Sequence, residues 1–224
     1  MLKKFLSSLE SAFASSGLDL FSVCRAGQYH DLVDKKYWLP CERDRVVVLV
    51  GNTKRMWPFV CESVAQKRLR AGEELVRHPV DSFVEESTRS IVAKQEGGCV
   101  ELVRFVHDSE HIVLFQQLAS ASNLCWLCRD IHLAVHPNYG GWVSFRVALV
   151  LSENLSSGDF DMLPPVPELF DARKCCGEQF DAAMADHDWK KWLAVRDSIP
   201  VGKEHRFSED QIMYHYTGKA NWKK

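Results

Sequence analysis

Residues 130–151 read Asp-Ile-His-Leu-Ala-Val-His-Pro-Asn-Tyr-Gly-Gly-Trp-Val-Ser-Phe-Arg-Val-Ala-Leu-Val-Leu, two apolar, β-branched runs parted by Pro137-Asn138-Tyr139-Gly140-Gly141. Proline fixes φ and the glycines accept positive φ, so the chain is expected to turn here and form a β-hairpin. Successive strand side chains point to opposite sides. Val143, Phe145, Val147, Leu149 and Leu151 are therefore predicted to share a core face, and Trp142, Ser144, Arg146, Ala148 and Val150 the other. An arginine on a half-polar strand is ordinarily a solvated or ion-paired surface residue, and a Gly-Gly pair ordinarily only a turn. A glycine pair can also mark a close approach of ligand to backbone. With Trp142, Ser144 and Arg146 beside it, this strand face is a candidate site wall.

Outward from the hairpin, Cys99–Val106 reads as a strand, and Asp108 or Ser109 can cap a markedly apolar helix running to about Trp126, buried on most sides. Pro79 opens a helix with Val80, Phe83, Val84 and Ile91 inward, terminated by Gly97-Gly98. Before it, Arg45–Val50 is a buried strand. Asn52 or Thr53 caps a helix carrying Met56, Phe59, Val60, Val64 and Leu75 at helical spacing, with Pro58 in its first turn. Residues 19–33 suggest an irregular strand or strand pair. Leu2, Phe5, Leu6, Leu9 and Phe13 share one face of an N-terminal helix, a lid on a sheet, stopped at Gly17. Downstream, Leu163-Pro-Pro-Val-Pro167 breaks regular structure and marks a boundary between a core, residues 1–162, and a C-terminal helical cap, residues 163–224. Helices near 168–185 and 188–197 precede a loop at 199–203, and Ser208-Glu-Asp-Gln211 is a capping box for a last helix.

The chain has 224 residues, 46% of them hydrophobic, enough for one large core with an appendage. A formal net charge of −2 supplies no basic field for nucleic acid, and no apolar run is long enough to span a bilayer. The N-terminus faintly imitates a signal peptide, but Glu10 and several serines interrupt it. Eight cysteines scattered through apolar segments fit reduced thiols in a cytoplasmic protein. Cys125-Trp-Leu-Cys128 has zinc or redox spacing, yet the vicinal Cys175-Cys176 is not a second zinc knuckle, so no metal is expected.

Common catalytic motifs are absent: no Gly-x-Gly-x-x-Gly, P-loop, Gly-x-Ser-x-Gly or His-Glu-x-x-His occurs. His132 and His136, on one strand, would sit roughly 13 Å apart, too far to share an ion. Asp130-Ile-His132-Leu-Ala-Val135 imitates the Asp-x-His-x-x-Gly motif of Rossmann-type cobalamin enzymes, but Val135 stands where glycine is needed, and the likeness is read as chance.

His136-Pro137, Gly140-Gly141-Trp142 and Arg146 together resemble the signature segment of the cobalamin-trafficking methylmalonic aciduria and homocystinuria type C family, called CblC. His78-Pro79-Val80-Asp81 resembles that family's proline-valine-aspartate helix start. Trp192 to Arg196-Asp197 and Arg206-Phe207-Ser208-Glu209-Asp210-Gln211 resemble its C-terminal segment. The pieces follow family order across most of the chain.

The resemblance implies an α+β fold on a flavin-reductase or nitroreductase-like scaffold, with a central, largely antiparallel sheet, flanking helices and a helical C-terminal cap. It implies a cobalamin-processing and trafficking enzyme that binds cobalamin base-off and removes the upper ligand. Alkylcobalamins would be dealkylated with glutathione and cyanocobalamin reductively decyanated with a flavin, FMN or FAD. A non-catalytic cobalamin carrier and a flavin-dependent reductase of small molecules on the same scaffold are the alternatives. By residue matching, Arg146 and Arg196 would bind glutathione, and His136, Pro137, Tyr139, Gly140, Gly141, Trp142 and Ser144 would bind cobalamin. A guanidinium suits a glutathione carboxylate because it can form two parallel hydrogen bonds and favours a nearby thiolate. A third family arginine has no counterpart, since Trp222-Lys223 stands there, and Lys223 is a candidate substitute. A CblD-like adaptor and methionine synthase are the implied partners, and a monomer or ligand-induced homodimer the implied assembly.

Overall fold

The computed structural model describes residues 1–71, 78–95, 98–186 and 188–219. Four strands, β1 (Leu20–Arg25), β2 (Val46–Asn52), β3 (Val100–Phe105) and β6 (Ser144–Leu151), form an antiparallel sheet in the order β1-β2-β6-β3. Two short strands, β4 (Trp126–Cys128) and β5 (Leu133–Val135), pair separately. Both faces of the large sheet are covered, which is why β2 opens on the apolar run Val46–Val50 and is buried at every position.

On one face, Val46, Val48 and Val50 of β2 and Val147, Leu149 and Leu151 of β6 meet three helices. These are α1 (Leu2–Ala14), α3 (Trp57–Ala71) and α4 (Pro79–Ala93). Helix α1 buries Leu2, Leu6, Leu9 and Phe13, as its periodicity predicts, and Gly17 follows at φ 79°. Thr53 caps a 3-10 turn, its hydroxyl accepting from the Arg55 N–H, and Pro58 sits in the first turn of α3. On the other face, Leu20, Cys24, Val47, Leu49, Ala148 and Val150 meet α5 (Phe115–Ala121) and Tyr29 of the short α2 (Ala26–His30). Residues 19–33 are thus a strand followed by a helical turn.

Three expectations are corrected. The 130–151 hairpin does not pair as a sheet: β5 joins β4, because β6 lies between β2 and β3 and has neither edge free. The turn itself exists, closed by reciprocal His136–Gly140 backbone hydrogen bonds of 2.9 Å. The strict alternation of β6 fails as well. Val147 pairs with Val50 but Phe145 with Gly51, leaving Arg146 as the extra residue of a β-bulge. Val143 and Phe145 therefore join the core opposite that of Val147, Leu149 and Leu151. Thirdly, the helix expected over 108–126 is only α5. The Leu114 N–H donates to the Tyr29 hydroxyl at 3.0 Å instead of to a helical carbonyl. Asn123, at φ 56°, ends the helix, with Leu124 and Cys125 both donating back to the Ala119 carbonyl. The earlier helix α4 stops at Ala93 under Lys94; Leu75, Gly97, Trp222 and Lys223 lie outside the described residues.

After the short α6 (Glu153–Ser156), residues 163–167 are irregular, as their prolines require. Helices α7 (Ala172–Asp186) and α8 (Trp189–Ser198) pack Ala172, Cys176, Phe180 and Val195, with Ile199 just after α8, against Cys128 and Val135 of the small sheet and Ile131 of its turn. Helix α9 (Glu209–Thr217) starts where its capping box predicts, the Ser208 hydroxyl accepting from the Gln211 N–H.

Candidate functional site

A cavity of about 1220 Å³ opens where the β6 bulge, the starts of α3 and α4, the small sheet and helices α8 and α9 converge. The bulge sets Arg146 in its wall. The Arg146 Nε donates to the side-chain oxygen of buried Asn52 at 2.7 Å, and its terminal nitrogens make no hydrogen bond to a described residue. Its surface is partly open to the cavity, yet protein encloses it. This burial pushes its pKa down to about 10 against the opposing fields of Asp81 and Tyr214, with Arg196 adding to the depression. It remains charged at neutral pH. A partly desolvated cation with an unused fork is a ready anion receptor.

Arg196, buried on α8, is already engaged. Its Nε and Nη2 donate to the Gly141 carbonyl and Nη2 also reaches the Val143 carbonyl at 3.3 Å. Its guanidinium lies 4.8 Å from the Trp142 ring centre and 5.3 Å from that of Phe207. The arginine thereby ties the irregular segment before β6 to the C-terminal helices.

Of the residues matched from the family, Gly141, Ser144, Arg146 and Arg196 line the cavity. The others stand behind it. His136 Nδ1 accepts the backbone N–H groups of Asn138 and Tyr139 at 3.0 and 3.2 Å. Burial, and secondarily His205, push the His136 imidazole down to about 4, so it serves the turn as a neutral acceptor. Pro137 and Tyr139 belong to that same turn, and Trp142 is buried against Phe207 and Ile212. Gly140 has φ 57°, and a Cβ there would lie 2.0 Å from the Val201 carbonyl oxygen. The glycine pair thus makes room chiefly for the 199–201 loop.

Sequence reading missed several lining residues. Asp81, quoted only within a helix-start motif, faces the cavity, as do Gln211, Tyr214 and His215. The last three are spaced i, i+3 and i+4 on α9, a polar stripe that marks a shared face. His215 keeps exposed surface, but enclosure, then the positive fields of Arg196 and Arg146, push its pKa down to about 3. The ring is neutral at pH 7. Ser144 Oγ and Gln211 Oε1 are buried without a hydrogen-bond partner among the described residues. Cys125 and Cys128 point into different cores, one with α5 and one with α7, and burial pushes both thiols up. Among the described residues no group of three His, Cys, Asp or Glu could hold a metal ion, and no helix is long and apolar enough to cross a membrane.

A cyanocobalamin reductase / alkylcobalamin dealkylase of Danio rerio is 22% identical over 237 residues, covering 96% of this chain and 89% of that protein. The crystal structure of a C. elegans B12-trafficking protein CblC, a human MMACHC homologue, superposes with a TM-score of 0.74 at 18% identity, covering 96% of this chain and 91% of that one. Epoxyqueuosine reductase from Bacillus subtilis gives a TM-score of 0.52 at 10% identity, over 99% and 77% of the two chains. At such identities the structural likenesses speak to fold alone, and they agree with the α+β scaffold and helical C-terminal region found here. The sequence profile of the MMACHC, methylmalonic aciduria and homocystinuria type C, family matches residues 17–224, nearly the whole chain, and this chain belongs to that family.

Proposed function

We propose that this protein binds cobalamin base-off in the cavity and removes its upper ligand, acting as an alkylcobalamin dealkylase with glutathione. The observation that carries this reading is convergence. Segments far apart in sequence, Val80-Asp81, Gly141 to Arg146, Trp192 to Arg196 and Phe207 to Gln211, bear the family motifs and supply walls of one cavity. In dealkylation a thiolate attacks the cobalt-bound carbon in line. A sulfur–carbon bond forms, the cobalt–carbon bond breaks, and its electron pair stays on cobalt. Arg146 holds a glutathione carboxylate through its two unused terminal nitrogens, and its charge favours the thiolate. Arg196 adds positive field, while its fork chiefly positions the wall through the Gly141 and Val143 carbonyls.

Reductive decyanation with a flavin, FMN or FAD, belongs to the same proposal as an implication of the family. Helix α4, whose first turn opens on the cavity, carries Asp81 there, which disfavours a flavin phosphate at that helix end. Thiol-driven dealkylation is the arm these residues fit. Residues 163–224 act as the cap that completes the site, and delivery in the cytoplasm to a CblD-like adaptor and methionine synthase completes the role proposed. The test is anaerobic mixing of purified protein with methylcobalamin and glutathione, followed by visible spectroscopy. A base-off spectrum on binding and a glutathione-dependent conversion to a dealkylated form are expected. An unchanged spectrum at saturating protein removes the cobalamin reading.

A further inference from the structure

The cavity wall carries opposite charges that do not meet. Asp81 and Arg146 both line it, and each lies within the other's electrostatic field, but no ion pair joins them. Among the described residues the Arg146 side chain hydrogen-bonds to Asn52 alone. The Asp81 carboxylate stands 3.6 Å from the His107 ring. Tyr214 senses both charges and sits one helical turn from Gln211, which places Gln211 at the same part of the wall. Ser144 pairs across the sheet with Asn52, the residue that holds Arg146. Ser144 is 9% exposed and Gln211 5%, and their Oγ and Oε1 atoms lack partners among the described residues.

A buried amide oxygen is an acceptor only, and leaving it unpaired costs roughly 1–3 kcal/mol. The terminal torsion of glutamine is soft, so this oxygen can be turned to a donor in the cavity. A plain carboxylate or a phosphate would satisfy Arg146 but would face Asp81 as a like charge and give Gln211 Oε1 nothing. A group with a carboxylate and an ammonium on adjacent atoms satisfies all of them: the carboxylate meets the guanidinium, and the ammonium donates to the Asp81 carboxylate and to Gln211 Oε1. The Ser144 hydroxyl can serve either end, since it both donates and accepts.

We propose that Asp81, Ser144, Arg146 and Gln211 form a subsite for a zwitterionic α-amino acid head group, selecting thiols that carry a free α-amino acid end over those with a carboxylate alone. This rests on the thiol-dependent reading above. The test uses two unreactive thioethers on protein loaded with methylcobalamin: S-methylglutathione, and its N-glutaryl-cysteinylglycine counterpart, which keeps both carboxylates and lacks the amino group. Calorimetric titration should show S-methylglutathione binding about tenfold tighter or better, the scale of a charged hydrogen bond. Asp81→Asn and Gln211→Leu should each bring the ratio toward one by weakening S-methylglutathione alone, while Gln211→Glu keeps or raises it. The base-off methylcobalamin spectrum checks that each variant is folded. Equal binding of the two compounds by the parent, or equal weakening of both in the variants, overturns the subsite and leaves the thiol reading standing. No binding of either compound to protein that shows the base-off spectrum overturns both.

Discussion

The two halves of strand β6 lie side by side and obey different rules. From Val147 to Leu151 the strand alternates between two cores, with Val147, Leu149 and Leu151 against α1, α3 and α4, and Ala148 and Val150 against α5. From Ser144 to Arg146 it bulges, leaves a serine hydroxyl without a partner and pushes a guanidinium into a cavity. One half is matched to its neighbours at every position. The other holds polar capacity that the protein itself does not use, which is where a binding site is expected.

The largest effect should come from the matched half. Leu149→Ala removes a fully buried side chain at the centre of the sheet and is expected to cost about 2–5 kcal/mol, read from chemical denaturation. A loss under about 1 kcal/mol would mean that this half is less tightly packed than its burial indicates. Next comes Arg146→Gln, in the bulged half. Loss of charged hydrogen bonds should raise the glutathione requirement for methylcobalamin dealkylation roughly ten- to a hundredfold. Cobalamin binding should be spared, and stability unchanged or higher, because a partly desolvated guanidinium without a carboxylate partner is removed. A variant that loses stability but keeps its thiol dependence would place Arg146 with the structural residues.

The turn that feeds the bulged half should be sensitive to acid. His136 titrates near 6.5 when unfolded and at about 4 in the folded protein, so between those values the unfolded chain binds more protons. Stability is therefore expected to fall on acidification through that window, by up to about 1.4 kcal/mol per pH unit for this group. His136→Asn should flatten that part of the pH profile, measured by thermal unfolding between those pH values. An identical slope in parent and variant would assign the acid sensitivity elsewhere. The smallest effect is expected at Cys125, buried beside α5 with its thiol pushed up by burial. Cys125→Ala should cost about 1–2 kcal/mol and leave dealkylation per folded molecule unchanged. Stoichiometric zinc lost in that variant would reveal a metal role for the Cys125–Cys128 pair.

Much of this arrangement was legible along the chain. The apolar spacing of Leu2, Leu6, Leu9 and Phe13, the unbroken run of β2, the Thr53 and Ser208 caps and the proline break at 163–167 each report on contacts within a few residues, and each stands where it was expected. Arg146 and Arg196 were legible as family positions, but their different situations were not. One has its terminal nitrogens free of described partners; the other is tied to two backbone carbonyls 53 and 55 residues away.

Local periodicity and capping chemistry therefore place α1, β2 and the starts of α3 and α9, because those preferences are set by near neighbours in the chain. Only the tertiary structure decides that β6 is a central strand with both edges taken, so that β5 must pair elsewhere. It also decides that the mismatch with β2 is absorbed at Arg146, since a bulge is a property of two strands in register and is written in neither alone. The grouping of Asp81, Ser144, Arg146 and Gln211 around one cavity is of the same kind. Ser144 and Arg146 share β6, Asp81 lies on α4 and Gln211 on α9, and only long-range packing brings these three elements to a common wall.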